Sequence, residues 1–117
     1  MTALNLIDTG RKAEKAASVY LEMRGYGIIE RNWRRPRCEI DIIAEKDGVI
    51  HFVEAKYRFN DEHGDALETV TLTKIKQIRR AARTWVDENK WKGEYQLDSV
   101  EIAGQGFTVM SFIENVF

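Results

Sequence analysis

Only one cysteine, Cys38, occurs in 117 residues, so no disulfide within the chain can brace the fold, which fits a reducing compartment. Proline is as scarce: Pro36 stands alone, and no linker divides the sequence. No apolar run approaches the roughly 18 residues of a membrane span, and the N-terminus lacks a signal-peptide pattern. A cytoplasmic protein without membrane contact is expected. Internal repeats and low-complexity stretches are absent as well. Neither sign of charge is in excess, the net being −1, so charge alone points to no class of partner. What remains, 44% hydrophobic and 32% charged, is the composition of a globular chain. Residues 1–117 are expected to form a single domain with a core of its own.

Against that background residues 39–56, EIDIIAEKDGVIHFVEAK, stand out. Two apolar, β-rich runs, 38–45 and 49–58, flank Lys46-Asp47-Gly48. Asp-Gly between such runs signals a hairpin, because a type I′ turn needs φ > 0 at both central residues. With Asp47 and Gly48 in those places, Lys46 faces Val49. Counting back sets Asp41 opposite Glu54 and Glu39 opposite Lys56. Side chains alternate between faces with period two, so these four project from one face at one end. Two opposed carboxylates repel unless a proton, a cation or a lysine intervenes. Ile43 and Phe52 continue the carboxylate row, while Ile40, Ile42 and Ala44 meet His51, Val53 and Ala55 on the other face. A strand pair that is apolar on both faces belongs at the centre of a sheet. His51, alone among apolar neighbours, reads as a partly buried, satisfied histidine rather than a ligand.

Elsewhere periodicity predicts a helix over 8–25, opened by Asp8 or Thr9 and closed by Gly25. Ala13, Ala16, Ala17, Tyr20 and Leu21 follow the spacing of a buried stripe, with Arg24 at its end and Glu14 at the border. On spacing alone Glu14 is an ordinary solvated residue. A strand follows over 26–34. Arg31, Arg34, Arg35 and Arg37 then crowd around Trp33 and Pro36, a pattern that suits either a phosphate-contact loop or a charged sheet edge that resists stray pairing. Residues 59–69 are a polar connection around His63, either a mobile cover for a ligand or a plain loop. A second helix over 70–90, capped by Thr71 or Thr73, carries Leu72, Ile75, Ile78, Ala82 and Trp85 on its core face. Lys76, Arg79, Arg80 and Arg83 line the other side, and Lys74 lies to one flank. A basic face of this kind is ordinarily just solvated; beside the arginines of 31–37 it adds to a joint footprint for an anion. Strands over 94–102, with Asp98 at the middle, and 107–113 pair as a hairpin. The order α-β-β-β-α-β-β predicts an α/β fold with a central mixed sheet flanked by helices.

The chain resembles the YraN-type (UPF0102) bacterial proteins, small members of the PD-(D/E)xK nuclease-like superfamily related to archaeal Holliday-junction resolvases. The resemblance covers nearly all of the chain. It rests on Glu14 and the alanines after it, Arg31-Asn32, Glu39-Ile40-Asp41 and Phe52-Val53-Glu54-Ala55-Lys56. It continues through Val70-Thr71 with Lys74, Ala82 and the aromatic helix end, and Asp98. The D-x12-E-x-K spacing is weak alone; its place in a hairpin with these flanks makes it specific. The resemblance implies a restriction-endonuclease-like core in which Asp41 and Glu54, with the backbone carbonyl of Ala55, bind Mg²⁺ or Mn²⁺, ions that hard oxygen ligands suit. It implies that Lys56 holds or helps activate the attacking water, that Glu14 is an outer metal contact, and that Lys74 orients phosphate or the carboxylates. Three positions depart from the family pattern. Ile40 replaces the motif's proline, Cys38 replaces the glycine usual before Glu-Ile-Asp, and Gln96 beside Leu97 replaces an arginine that would pair with Asp98.

The function so implied is a metal-dependent endonuclease that hydrolyses phosphodiester bonds in DNA, branched or junction DNA included. Arg34, Arg35, Arg37, Lys74, Lys76, Arg80 and Arg83 would contact the backbone. One alternative is a nucleic-acid-binding protein with a nuclease-like fold and little catalysis. Another is a structural or interaction protein in which Lys56 neutralises Asp41 and Glu54 as a buried network. Junction resolvases imply a homodimer, although no leftover apolar stripe marks an interface. Backbone contacts by arginine and lysine do not separate DNA from RNA.

Overall fold

A computed structural model of the chain describes residues 3–59 and 72–116, with side chains from residue 7 onward. The Asp47-Gly48 turn has the positive φ values a type I′ turn requires, 52° and 79°. It joins β2 (Cys38–Lys46) to β3 (Val49–Arg58) in the antiparallel register Lys46↔Val49 through Ile42↔Val53. The arginine segment is itself mostly a strand rather than a loop. β1 runs Gly27–Arg35 and pairs with β2 up to Arg35↔Cys38. Pro36 and Arg37 make the two-residue link, and Arg37 takes φ 65°, the position where a type II turn requires a left-handed residue after proline.

From β3 the chain passes through α2 (Leu72–Glu88) to β4 (Tyr95–Ala103), which runs parallel to β3 from Ile50↔Tyr95 to Arg58↔Ala103. β5 (Thr108–Ile113) returns antiparallel. The sheet order is therefore β1-β2-β3-β4-β5 with one parallel pair, the mixed α/β arrangement that the element order predicts. Among the described residues no helix is long and apolar enough to cross a membrane.

α1 (Ala3–Met23) covers one face. It starts before Asp8, so Asp8 and Thr9 lie inside the helix instead of capping it, and Asp8 pairs with Lys12 one turn on at 3.1 Å. Its other end closes at Gly25, φ 89°. The Gly25 N–H donates to Glu22 O and the Tyr26 N–H to Leu21 O, both at 3.1 Å, the paired bonds of a Schellman motif. Buried Ala13 and Ala17 let the helix lie close on Ile42, Val53 and Val100. α2 covers the opposite face, setting Ile78, Ala81, Ala82 and Trp85 on Trp33, Ile43, Phe52 and Leu97.

Three expectations change here. Leu72, the first residue of α2, is 77% exposed, and buried Ala81 carries the stripe in its stead. Thr73 lies inside the helix, while Thr71 and most of the 59–69 connection fall outside the described residues. Ile40 joins Trp33 in the core under α2 instead of following Ile42. Asn32, at φ 54° between the Arg31↔Ile42 and Trp33↔Ile40 pairs, interrupts the alternation there.

Candidate functional site

The β2–β3 pairing runs as far as Ile42↔Val53, and Asp41 and Glu54 are the strand residues adjoining that last pair. Asp41 Oδ2 accepts the Ala55 N–H at 2.8 Å. Glu54 is buried, and its Oε1 receives Lys74 Nζ at 3.1 Å and Lys56 Nζ at 3.5 Å. Two β-strands and α2 thus converge on one carboxylate pair. Burial lifts the Asp41 carboxyl most, and the Glu54 charge lifts it further. The Ala55 N–H opposes both, Glu14 and Glu39 add to the rise, and the net result is about 7. Glu14, half-buried on α1, therefore acts on the same centre through its field. Burial pulls Lys74 down, but Glu54 first and then Asp41 and Glu39 outweigh it, so the ammonium is held above its ordinary range.

The Asp41 proton has a consequence for stability. The folded protein keeps it up to about pH 7, whereas an unfolded aspartate releases it near 3.9. In that window the folded state binds more protons, so stability falls as pH rises and levels off above it. Metal-free protein is expected to lose on the order of 1–3 kcal/mol from this group between about pH 5 and pH 8. Asp41→Asn, which cannot ionise, is expected to flatten the curve, and urea melts across the range check both.

Beside the carboxylates lies a groove of about 540 Å³, lined by Arg34, Arg35, Arg37, Cys38, Glu39, Lys74, Gln77, Ile78 and Arg80. Arg34, Arg35, Arg37, Lys74 and Arg80 thus line one groove. Lys76 and Arg83 stay exposed on α2 and line no part of the groove. Arg35 is clamped by Glu88, Nε lying 3.1 and 3.0 Å from the two carboxylate oxygens and Nη2 2.8 Å from Oε1. Its guanidinium sits 4.7 Å over the buried Trp33 ring. Arg34 Nε lies 3.3 Å from Glu39 Oε2. Lys74 belongs to both groups and joins the groove to the carboxylates.

A second polar group, on the α1 side, escaped sequence reasoning. His51 Nδ1 and Asp98 Oδ2 are 2.6 Å apart, both residues buried. Asp98 Oδ1 accepts the Asn115 N–H at 2.8 Å and the Gln96 amide at 2.9 Å, and the same amide donates to Glu114 at 3.2 Å. Gln96 and His51 therefore supply polar partners to Asp98 in this chain. Tyr26 meets His51 edge-on at 4.9 Å. Burial first, then the Glu114 and Asp98 charges, push its hydroxyl up to about 12. Potential ligand atoms of His51, Asp98 and Glu114 all lie within 4.8 Å of one another, so this group could hold a metal ion. The signal that assembles it is the parallel register, Val53↔Asp98 and His51↔Gln96, which no local pattern discloses.

Comparison with known proteins places these residues in a family. The model described as "Uncharacterised protein family UPF0102" matches residues 13–102, a stretch that includes Glu14, Asp41, Glu54, Lys56 and Lys74. A UPF0102 protein of Prosthecochloris aestuarii (strain DSM 271 / SK 413) is 43% identical over 101 residues, 86% of this chain and 80% of that one. One of Chloroherpeton thalassium (strain ATCC 35110 / GB-78) is 42% identical over 94 residues, 80% of this chain and 73% of its own length. A third, of Shewanella loihica (strain ATCC BAA-1088 / PV-4), is 34% identical over 117 residues, the full length of both.

Proposed function

The chain belongs to the UPF0102 family, and from the chemistry of its acidic centre we propose that it is a metal-dependent endonuclease. Its reaction is hydrolysis of phosphodiester bonds in DNA, branched and junction DNA among the substrates. The observation that carries this is the forced meeting of Asp41 and Glu54, with the Asp41 carboxyl pushed up to about 7. A buried carboxylate pair of this kind is relieved by a cation. The donors are hard oxygens, which fit Mg²⁺ or Mn²⁺, and Asp41, Glu54 and the Ala55 carbonyl would hold the ion. When bound, it supplies Lewis-acid activation of the phosphate.

The rest falls to this chain's own side chains. Lys56 holds the attacking water and offsets the negative charge that builds on the phosphate. Lys74 fixes the Glu54 carboxylate through its 3.1 Å contact and presents positive charge to the groove. Glu14 contributes an outer carboxylate. The groove arginines bind the sugar–phosphate backbone. A cytoplasmic setting, and a homodimer that sets two centres on opposed strands, belong to the same proposal.

One observation favours a second function: Lys56 and Lys74 both already contact Glu54 Oε1. In a nucleic-acid-binding or scaffold protein without turnover, these lysines alone would balance the pair. Titration with Mg²⁺ and Mn²⁺ separates the two, following melting temperature and cleavage of labelled duplex, flap and four-way junction DNA on wild type and Asp41→Ala. A melting shift lost in Asp41→Ala, with cleavage that follows it, supports the nuclease. A shift without cleavage leaves a metal site in a binding protein. No response to metal removes the metal centre and favours the lysine-balanced scaffold.

A further inference from the structure

We propose that the groove beside the acidic centre is a subsite for a second phosphate of the nucleic-acid backbone, which takes the place of the Glu39 carboxylate on Arg34. Its placement next to the cutting position rests on Asp41 and Glu54 being the cutting centre; the binding itself does not. The chain carries a net charge of −1, yet among the described residues the groove lining holds five cations and one carboxylate, Glu39. Such a local reversal of sign is what an anion subsite needs.

The cations differ in availability. Arg35 is locked on Glu88 and Lys74 leans on Glu54. Among the described residues Arg34 pairs with Glu39, at 3.3 Å, through side chains that are 72% and 53% exposed. An exposed pair of this kind contributes little and is readily exchanged, so a phosphate oxygen can take the place of the Glu39 carboxylate on Arg34. Arg37 and Arg80 complete the cradle from the β1–β2 turn and from α2. Among the described residues no aromatic ring lines the groove, since Trp33 is buried beneath Arg35. The lining therefore suits phosphates rather than stacked bases. Because Lys74 touches both groove and Glu54, a strand seated here is aligned across the carboxylates.

The test is binding in EDTA, where cleavage plays no part. Fluorescence anisotropy of labelled duplex DNA, and of duplex RNA of the same sequence, is followed over a salt series. Arg37→Ala with Arg80→Ala is expected to weaken binding roughly tenfold or more and to lower the slope of log affinity against log salt by about one. Glu39→Gln is expected to tighten binding about threefold to tenfold, consistent with the removal of a weak competing pair. Equal loss with DNA and RNA identifies the shared backbone as the ligand, and loss with DNA alone narrows it to B-form duplex. Unchanged affinity and slope in the double variant, weaker binding by Glu39→Gln, or no binding by wild type overturns the subsite. Groove-dependent binding without cleavage in Mg²⁺ would sink the nuclease and leave the subsite standing. Cleavage that is indifferent to the groove variants would do the reverse.

Discussion

Asp41→Ala is expected to lower the rate of DNA cleavage by roughly 10²–10³-fold or more, the usual cost of removing a group that organises transition-state charge. Its fold should survive. Above neutral pH Asp41 is ionised beside Glu54 in a buried setting, so the variant loses a repulsion along with the Ala55 hydrogen bond. Its metal-free melting temperature should sit near that of wild type, while the Mg²⁺-dependent rise disappears. Glu54→Gln is a harsher change, because Lys56 and Lys74 both rely on that carboxylate. A drop in stability is expected to accompany its loss of activity. Single-turnover cleavage in Mg²⁺ and Mn²⁺, with melting curves on the same samples, checks both. Cleavage by Asp41→Ala at the wild-type rate would remove the carboxylate pair from the chemistry.

Asp98→Ala is expected to act on stability, with a loss of about 3–5 kcal/mol, the sum of three lost hydrogen bonds, one of which leaves a buried imidazole without its partner. For a chain of this size that is a fall of roughly 10–20 °C in melting temperature. The cause is threefold: His51 is left buried without its 2.6 Å partner, and the Asn115 N–H and the Gln96 amide each lose an acceptor. Asp98→Asn keeps an acceptor oxygen and should cost less. The part of the Mg²⁺ response that depends on Asp41 should match wild type in Asp98→Ala, measured where it is still folded, since Asp98 lies with His51 on the α1 side of the sheet. A loss below about 1 kcal/mol would mean that water replaces the network freely.

What could be read from the residues was what local geometry decides. The meeting of Asp41 and Glu54 follows from Asp47-Gly48, because a two-residue turn sets a hairpin's register and a slip of one residue would turn a whole strand over. The convergence of Arg37 with Arg80 was legible only as a suspicion, since it depends on where α2 crosses the sheet. Lys76 and Arg83 show the limit of that inference: shared helical spacing with Arg80 did not bring them into the groove. The His51–Asp98 pair was invisible, as it needs the parallel register of strands separated by a helix. Leu72 misled because an apolar residue in phase with the stripe is buried only where something covers it, and at 77% exposure Leu72 is left uncovered.

The two polar centres also differ in the chain entropy they cost. The Asp41–Ala55 contact spans 14 residues and the His51–Asp98 contact 47. Loop closure grows with the logarithm of length, so the second contact costs about 1 kcal/mol more to close. Strands β1, β2 and β3 form a meander joined by two-residue turns, whereas β4 finds its parallel place only after α2 has crossed over. The carboxylates are therefore expected to meet early in folding and the histidine pair to lock late. Pulse-labelled hydrogen exchange during refolding reads that order directly, through the Ala55 and Asn115 amides.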